Sequence, residues 1–84
     1  MEMTVRYQGI IADMLGRKTQ QVTLPDDATV ADLFEVITAG DDTAKAILKQ
    51  TRAFINGQQA ERTAPLSDGA EVIFMRPIAG GSTR

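Results

Sequence analysis

Few side chains in this sequence are suited to chemistry. Cysteine and histidine are both absent, which excludes disulfides, thiol catalysis and the usual ligands of zinc, copper and haem. The acidic pairs at positions 26–27 and 41–42 stand where a turn and a helix start are predicted, and there capping and solvation explain them better than a cation does. We therefore predict no metal site. The remaining candidate is the glycine pair Gly80-Gly81.

The glycine pair offers its backbone rather than a side chain. Glycine has no Cβ, so such a segment adopts conformations that other residues avoid and fits a narrow channel. A glycine carbonyl is also unhindered for attack by a nucleophile. Because many chain ends are rich in glycine, the pair gains meaning only from the elements that precede it.

Length and composition limit the function classes. With 84 residues the chain is predicted to be one domain, too small to hold a deep internal pocket. The net charge of −2 gives no electrostatic footprint for nucleic acid. No apolar run reaches the length of a membrane span and no signal-peptide pattern opens the chain, so we expect neither a membrane partner nor export, and a cytoplasmic location.

The first half of the chain predicts two strands and two helices. Apolar and polar residues alternate over 3–7, which predicts the first strand, and residues 19–24 before Pro25 predict the second. The segment between them is either a helical turn or a loop with apolar anchors. Thr29 is a good helix N-cap with Asp32 three residues later. Helical spacing then gives one apolar face, formed by Val30, Leu33, Phe34 and Ile37, before Gly40. A short second helix is predicted over 42–50, with Ala46, Ile47 and Leu48 packing inward.

The second half predicts the returning strands. A third strand over 53–55 runs into the turn Asn56-Gly57, an edge strand is expected within 60–64, and the last strand covers 71–76 before Pro77. This order predicts an α+β β-grasp fold, a mixed sheet of four to five strands on one main helix plus a short second helix. The last strand should lie centrally and parallel to the first. The predicted core comprises Val5, Tyr7, Val22, Leu24, Leu33, Ile37, Ile55, Val72 and Phe74.

The last third of the chain resembles a known family. Residues 65–74, reading Pro-Leu-Ser-Asp-Gly-Ala-Glu-Val-Ile-Phe, and residues 77–81, reading Pro-Ile-Ala-Gly-Gly, are similar to the closing signature of the ubiquitin-like sulfur carriers MoaD and ThiS. Asn56 and Gly16 also fit that pattern. The length and the predicted second helix resemble the small subunit of molybdopterin synthase more than the thiamin-pathway carrier. The segment 9–13 differs, since it lacks the Arg-Glu pair common in the molybdopterin branch.

The resemblance implies a function for the glycine pair. In the family an activating enzyme adenylates the terminal glycine, here Gly81, and the acyl group becomes a thiocarboxylate that donates sulfur. It implies a domain over 1–78, a flexible tail over 79–84, and a carrier that is a co-substrate or synthase subunit rather than an enzyme. The chain would bind no cofactor of its own, and its activating enzyme would use ATP and Mg.

The chain continues past the glycine pair with Ser82-Thr83-Arg84, which departs from the family pattern. While these residues remain, Gly81 has an amide in place of the free carboxylate that adenylation requires. We therefore expect a processing protease to cut between Gly81 and Ser82. A tail added during cloning and a member that has lost its chemistry are the alternatives.

A partner surface is predicted beside the tail. If Val72 and Phe74 face the helix, then Ile73 and Met75 face the other way, together with Phe54. We expect these three, with Arg76, Ile78, Ala79 and Gly80, to bind the activating enzyme and the synthase or other sulfur acceptor. Molybdopterin synthesis is the leading pathway. The alternatives are sulfur donation to thiamin, cysteine, a secondary metabolite or tRNA, a ubiquitin-like protein modifier, and an inert β-grasp binding module.

Overall fold

The computed structural model describes residues 1–76, which form five strands and three helices. The strands and helices, in chain order, are β1 (Glu2–Tyr7), α1 (Ile10–Leu15), β2 (Thr19–Thr23), α2 (Val30–Ile37), α3 (Asp42–Leu48), β3 (Arg52–Ile55), β4 (Gln58–Ala60) and β5 (Glu71–Met75). The predicted domain boundary at residue 78 lies outside the described residues.

The five strands make one mixed sheet in the order β2-β1-β5-β3-β4. β5 pairs in parallel with β1 and antiparallel with β3, so the last strand is central, as predicted. Its apolar sequence agrees with this place, since a central strand has both edges paired and one face fully covered. The β-grasp prediction is confirmed.

Helix α2 covers one face of the sheet and supplies the centre of the core. Val5, Leu33 and Val72 have no exposed surface, and Phe74 retains only 2%. Two predicted core residues, Ile37 and Ile55, are half-buried and pack against the edge of this cluster. The other seven predicted core residues are buried.

The start of α2 is fixed by the predicted capping residues. The Thr29 hydroxyl accepts a hydrogen bond from the Asp32 amide, and the Asp32 carboxylate accepts one from the Thr29 amide. The amides of Val30 and Ala31, in the first turn, have no carbonyl partner within the helix. They donate instead to the carbonyls of residues 64 and 62. The cap therefore holds the helix to the chain segment that follows β4.

Two local predictions were wrong. The edge strand lies at Gln58–Ala60 rather than within 60–64, because the Asn56-Gly57 turn returns the chain at once: Asn56 has φ 49° and Gly57 φ 90°. In α3 it is Ala44, together with Ile47 and Leu48, that is buried, and Ala46 is exposed. This helix also ends at Leu48, two residues before the predicted limit.

Candidate functional site: the end of strand β5

Strand β5 leads directly to the segment that carries the glycine pair. Val72 and Phe74 are buried under α2, while Ile73 and Met75 lie on the opposite face and are half-buried. The predicted alternation of faces is therefore confirmed. Gly81, the residue that would react, comes five positions after Arg76 in the sequence.

The open face of the sheet carries an apolar group beside this strand end. Phe54 on β3 lies directly opposite Ile73 on β5, and Met75 follows two residues later on the same face. Directly opposed and diagonal side chains on one face are within reach of each other. We call Phe54, Ile73 and Met75 the sheet patch. All three side chains are half-buried, so part of each remains accessible.

Charged residues border the sheet patch. Arg6 on β1 lies opposite Ile73, and its Nε is 2.6 Å from the Glu71 carboxylate. Arg52 lies opposite Met75 on the other side. An apolar centre with a charged rim is the usual composition of a protein-binding surface.

The other predicted partner residues divide into two groups. Arg76 is exposed, and its guanidinium donates to the side-chain oxygen of Gln50 at 3.1 Å. Ile78, Ala79, Gly80, Gly81 and Ser82 lie outside the described residues. The structure thus places the end of β5 beside the sheet patch, and the partner-binding role of these residues stays a prediction.

At the end of β5, on the face covered by α2, two aromatic rings stack across the central strands. Tyr7 on β1 pairs with Phe74 on β5, and their ring centroids are 6.3 Å apart. The Tyr7 hydroxyl donates to the Gln20 side chain at 3.0 Å. Burial raises the pKa of the Tyr7 phenol, and the nearby Arg17 cation partly offsets the rise. The phenol is therefore neutral near neutral pH and supports the strand end as a packed, uncharged group.

Sequence reasoning missed a group of basic residues near the same end. Lys49, Arg52 and Arg62 line a small pocket between α2 and the β3–β4 edge. They are far apart in the sequence, so no local pattern pointed to them.

Within residues 1–76 we find no cluster of acidic side chains suited to holding a metal ion. Asp41 instead caps α3, its carboxylate accepting the Ala44 amide at 2.9 Å. None of the helices described here is long and apolar enough to cross a membrane.

Sequence comparison decides the family. The sequence model of the ThiS family matches residues 5–81, from the middle of β1 through the second glycine of the pair. The chain belongs to the ThiS family. This confirms the resemblance to the ubiquitin-like sulfur carriers drawn from the closing motif. The comparison with curated protein sequences gives no match.

Solved structures agree in fold over nearly the whole chain. SAMP1 from Haloferax volcanii superposes with a TM-score of 0.83 at 20% identity, covering 96% of this chain and 100% of its own. A putative molybdopterin converting factor subunit 1 from Pyrococcus furiosus gives 0.77 at 21% identity, covering 93% and 99%. The H. volcanii HVO 2177 protein gives 0.78 at 27% identity, covering 96% and 87%. The fold of this ThiS-family chain is thus shared by modifier and molybdopterin-factor proteins.

Proposed function

We propose that this ThiS-family protein carries sulfur as a thiocarboxylate on Gly81 and donates it in molybdopterin synthesis. The observation that supports this most is the family match through Gly81, joined to a β-grasp domain whose central strand ends shortly before it. In this proposal the chain is a co-substrate or synthase subunit and not itself an enzyme. The lack of cysteine and histidine fits that division of labour.

The chemistry needs little from this chain beyond a terminal carboxylate. A carboxylate oxygen of Gly81 attacks the α-phosphorus of ATP, a P–O bond forms, and pyrophosphate leaves. A hydrosulfide-level sulfur donor of the partner then attacks the acyl carbon, AMP leaves with the C–O bond pair, and one proton is released. The product is a thiocarboxylate. The activating enzyme would supply ATP, Mg²⁺ and the acid–base groups.

Chain length is compatible with delivery into a partner's active site. The six residues from Arg76 to Gly81 span at most about 20 Å when extended. A partner that holds the sheet patch can therefore receive Gly81 in a channel well away from the docked surface. Since glycine has no side chain, the last two residues need only a narrow channel.

The proposal requires that Gly81 be terminal in the active form. In this sequence Ser82, Thr83 and Arg84 follow it, so its carbonyl belongs to an amide. Adenylation at Arg84 instead would bring a long cation into a channel suited to glycine, with a desolvation cost of several kcal/mol. We propose that a protease removes the three residues.

Adenylation tests the proposal directly. Three forms are incubated with the adenylating enzyme of the same cells, ATP and Mg²⁺: one ending at Gly81, the full chain, and one ending at Gly80. ATP–pyrophosphate exchange is expected only with the first. Adding a sulfur donor should then replace one oxygen by sulfur, measured by intact mass. The Gly80 form is the matched control, since it retains the whole described domain.

Equal exchange with all three forms would contradict the proposal. Absence of exchange with all three would also contradict it, provided that the same enzyme preparation adenylates another carrier protein. The protein isolated from its own cells gives the processing result. Loss of the last three residues supports cleavage, whereas a persistent full-length chain contradicts it.

A second candidate is a ubiquitin-like protein modifier that forms isopeptide bonds through Gly81. It is favoured by the structural match to SAMP1, a small archaeal modifier protein, because the match covers the full length of that protein. Immunoblots of cells that express a tagged form ending at Gly81 distinguish the two. Ladders of adducts on lysines, lost on deletion of Gly81, indicate a modifier.

The same sulfur chemistry for thiamin, cysteine, a secondary metabolite or tRNA would appear as rescue of that pathway in a deletion strain. An inert binding module would tolerate loss of the glycine pair.

A further inference from the structure

Helix α1 is apolar on both of its sides. Ile11 and Ala12 are buried, and Leu15 packs against the core. The outer side carries Ile10 and Met14, which are 54% and 53% exposed. A helix that is apolar all round is normally covered all round. In the part of the chain that the structure describes, more than half of each of these two side chains is left open to solvent.

The two exposed side chains are neighbours. They are four residues apart in a helix, so they project from adjacent turns on the same side. Single exposed apolar side chains need no explanation, whereas contiguous ones mark a surface that another molecule can cover. We call Ile10 and Met14 the α1 patch.

The α1 patch lies at the end of the sheet where β5 finishes. β1 and β5 run parallel with Tyr7 paired to Phe74, and the Gln8 amide donates to the Phe74 carbonyl at 3.3 Å. Ile10 follows Tyr7 by three residues, which span at most about 11 Å. The start of α1 is therefore close to the strand end from which the sequence continues to Gly81.

The α1 patch and the sheet patch border a common hollow. Arg6 lies opposite Ile73 of the sheet patch. It lines the hollow together with Asp13, the neighbour of Met14 in α1. One binding surface can therefore run from the sheet patch, across these charged residues, to the α1 patch, with the mixture of apolar and polar contacts usual in protein interfaces.

Charge around the α1 patch is mixed. Asp13 is the only charged residue of α1, and the hollow beside it is also lined by the cations Arg6 and Lys18. Neither sign dominates, so the surroundings do not select a strongly charged ligand. The property that distinguishes this side of α1 is its exposed apolar surface.

We infer that the α1 patch is a second docking contact for the protein that receives Gly81, and that this protein presents an apolar surface beside the mouth of its channel. The inference rests on the proposed function. The six residues from Arg76 to Gly81 span at most about 20 Å, so insertion of Gly81 brings the receiving protein against this end of the sheet. Covering isoleucine and methionine with apolar surface is favourable because it removes them from water.

The test is ATP–pyrophosphate exchange with the form ending at Gly81 and the adenylating enzyme of the same cells. Ile10→Gln and Met14→Gln keep long side chains but make them polar. Each should raise the KM for the carrier about fivefold, because an apolar contact with the enzyme is lost. The kcat should not change, since the α1 patch contacts the enzyme surface and not the reacting carbonyl. Circular dichroism checks that the variants are folded.

Two further variants serve as controls. Met14→Leu restores an apolar side chain of similar volume, so KM should return to within about twofold of the original value. Thr23→Gln places the same new side chain at the far end of the sheet, opposite Glu2, and should leave KM unchanged. If Ile10→Gln fails to fold, the comparison of glutamine with leucine at position 14 carries the test.

Three kinetic results would overturn the inference: an unchanged KM in the glutamine variants, a fall in kcat at constant KM, or an equal rise in KM for Met14→Leu. The proposed function is judged separately by the unaltered carrier. If that carrier gives no exchange, the proposed function fails and the inference fails with it, whereas normal exchange with an unchanged KM in the variants removes the inference alone.

Other occupants of the α1 patch give different results. Sedimentation of the full chain would reveal a second copy as dimers that Met14→Gln abolishes. Nuclear Overhauser contacts between the methyl groups of Met14 and Ile78 in the full chain would assign the patch to the chain's own tail. Either result would overturn the inference.

Discussion

The two faces of one strand, β5, have different roles in this molecule. Val72 and Phe74 are closed off by α2, whereas Ile73 and Met75, one residue away in each case, remain half-exposed. Hydrophobicity alone does not distinguish them, since all four are large and apolar. The difference arises because helix α2 covers one face and leaves the other face open, and it is on this open face that we propose a partner docks.

The strongest test of this comparison is Phe74→Ala on the covered face. Phe74 is 2% exposed and stacks on Tyr7, so truncation leaves a cavity and should cost about 3–5 kcal/mol. Urea unfolding followed by circular dichroism measures the loss. In a domain this small, we expect much of the variant to be unfolded. A cost as low as that of Ile73→Ala would show that the faces are equivalent.

Ile73→Asp tests the open face. We expect binding to the activating enzyme to weaken by about 2 kcal/mol if Ile73 is central to the sheet patch. The free energy of unfolding should fall by no more than about 1 kcal/mol, the range of strand propensity. Titration calorimetry and urea unfolding on the same variant separate the two effects. Gln21→Asp, on the same face but on edge strand β2, is the control and should leave binding unchanged.

Thr29→Ala tests helix α2, which covers the buried face, rather than a residue of β5 itself. It removes the hydroxyl that accepts the Asp32 amide, and the expected cost is about 1 kcal/mol. Thermal unfolding measures it, and Thr29→Ser should recover most of the loss. If both variants behave alike, the capping box does not hold α2 in place.

Arg6→Gln should have the smallest effect. Arg6 and Glu71 form an ion pair at 2.6 Å on the open face, with side chains 54% and 42% exposed. Water screens such pairs, so we expect a stability change below about 1 kcal/mol that shrinks further in high salt. A loss that persists in high salt would mean that the open face is less solvated than its exposure indicates.

Much of this arrangement could be predicted from the sequence because local signals agreed with the fold. The two-residue period of a strand grouped Val72 with Phe74 and Ile73 with Met75, Thr29 and Asp32 marked the start of α2, and Asn56-Gly57 marked the tight turn. The predicted sheet patch follows from the same alternation. Its binding role, and every role assigned to residues 78–82, stays a prediction.

The errors occurred where local signals were weak. β4 contains two glutamines and an alanine, so it shows no apolar alternation, and the preceding turn determines its position. In α3, the two alanines allow more than one helical phase, and packing selects Ala44 over Ala46. The small pocket between α2 and the β3–β4 edge could not be found because Lys49, Arg52 and Arg62 in its lining belong to separate segments that only the fold brings together.

The pairing of β5 on both edges also has a mechanical consequence. Any pull on the chain beyond Met75 runs along β5, which is held by parallel bonds to β1 and antiparallel bonds to β3. The load is therefore carried in shear by several hydrogen bonds at once, instead of opening them one after another. A protein that pulls on the end of this chain would therefore pull on a strand that is hydrogen-bonded along both edges. Unfolding would require these hydrogen bonds to break together.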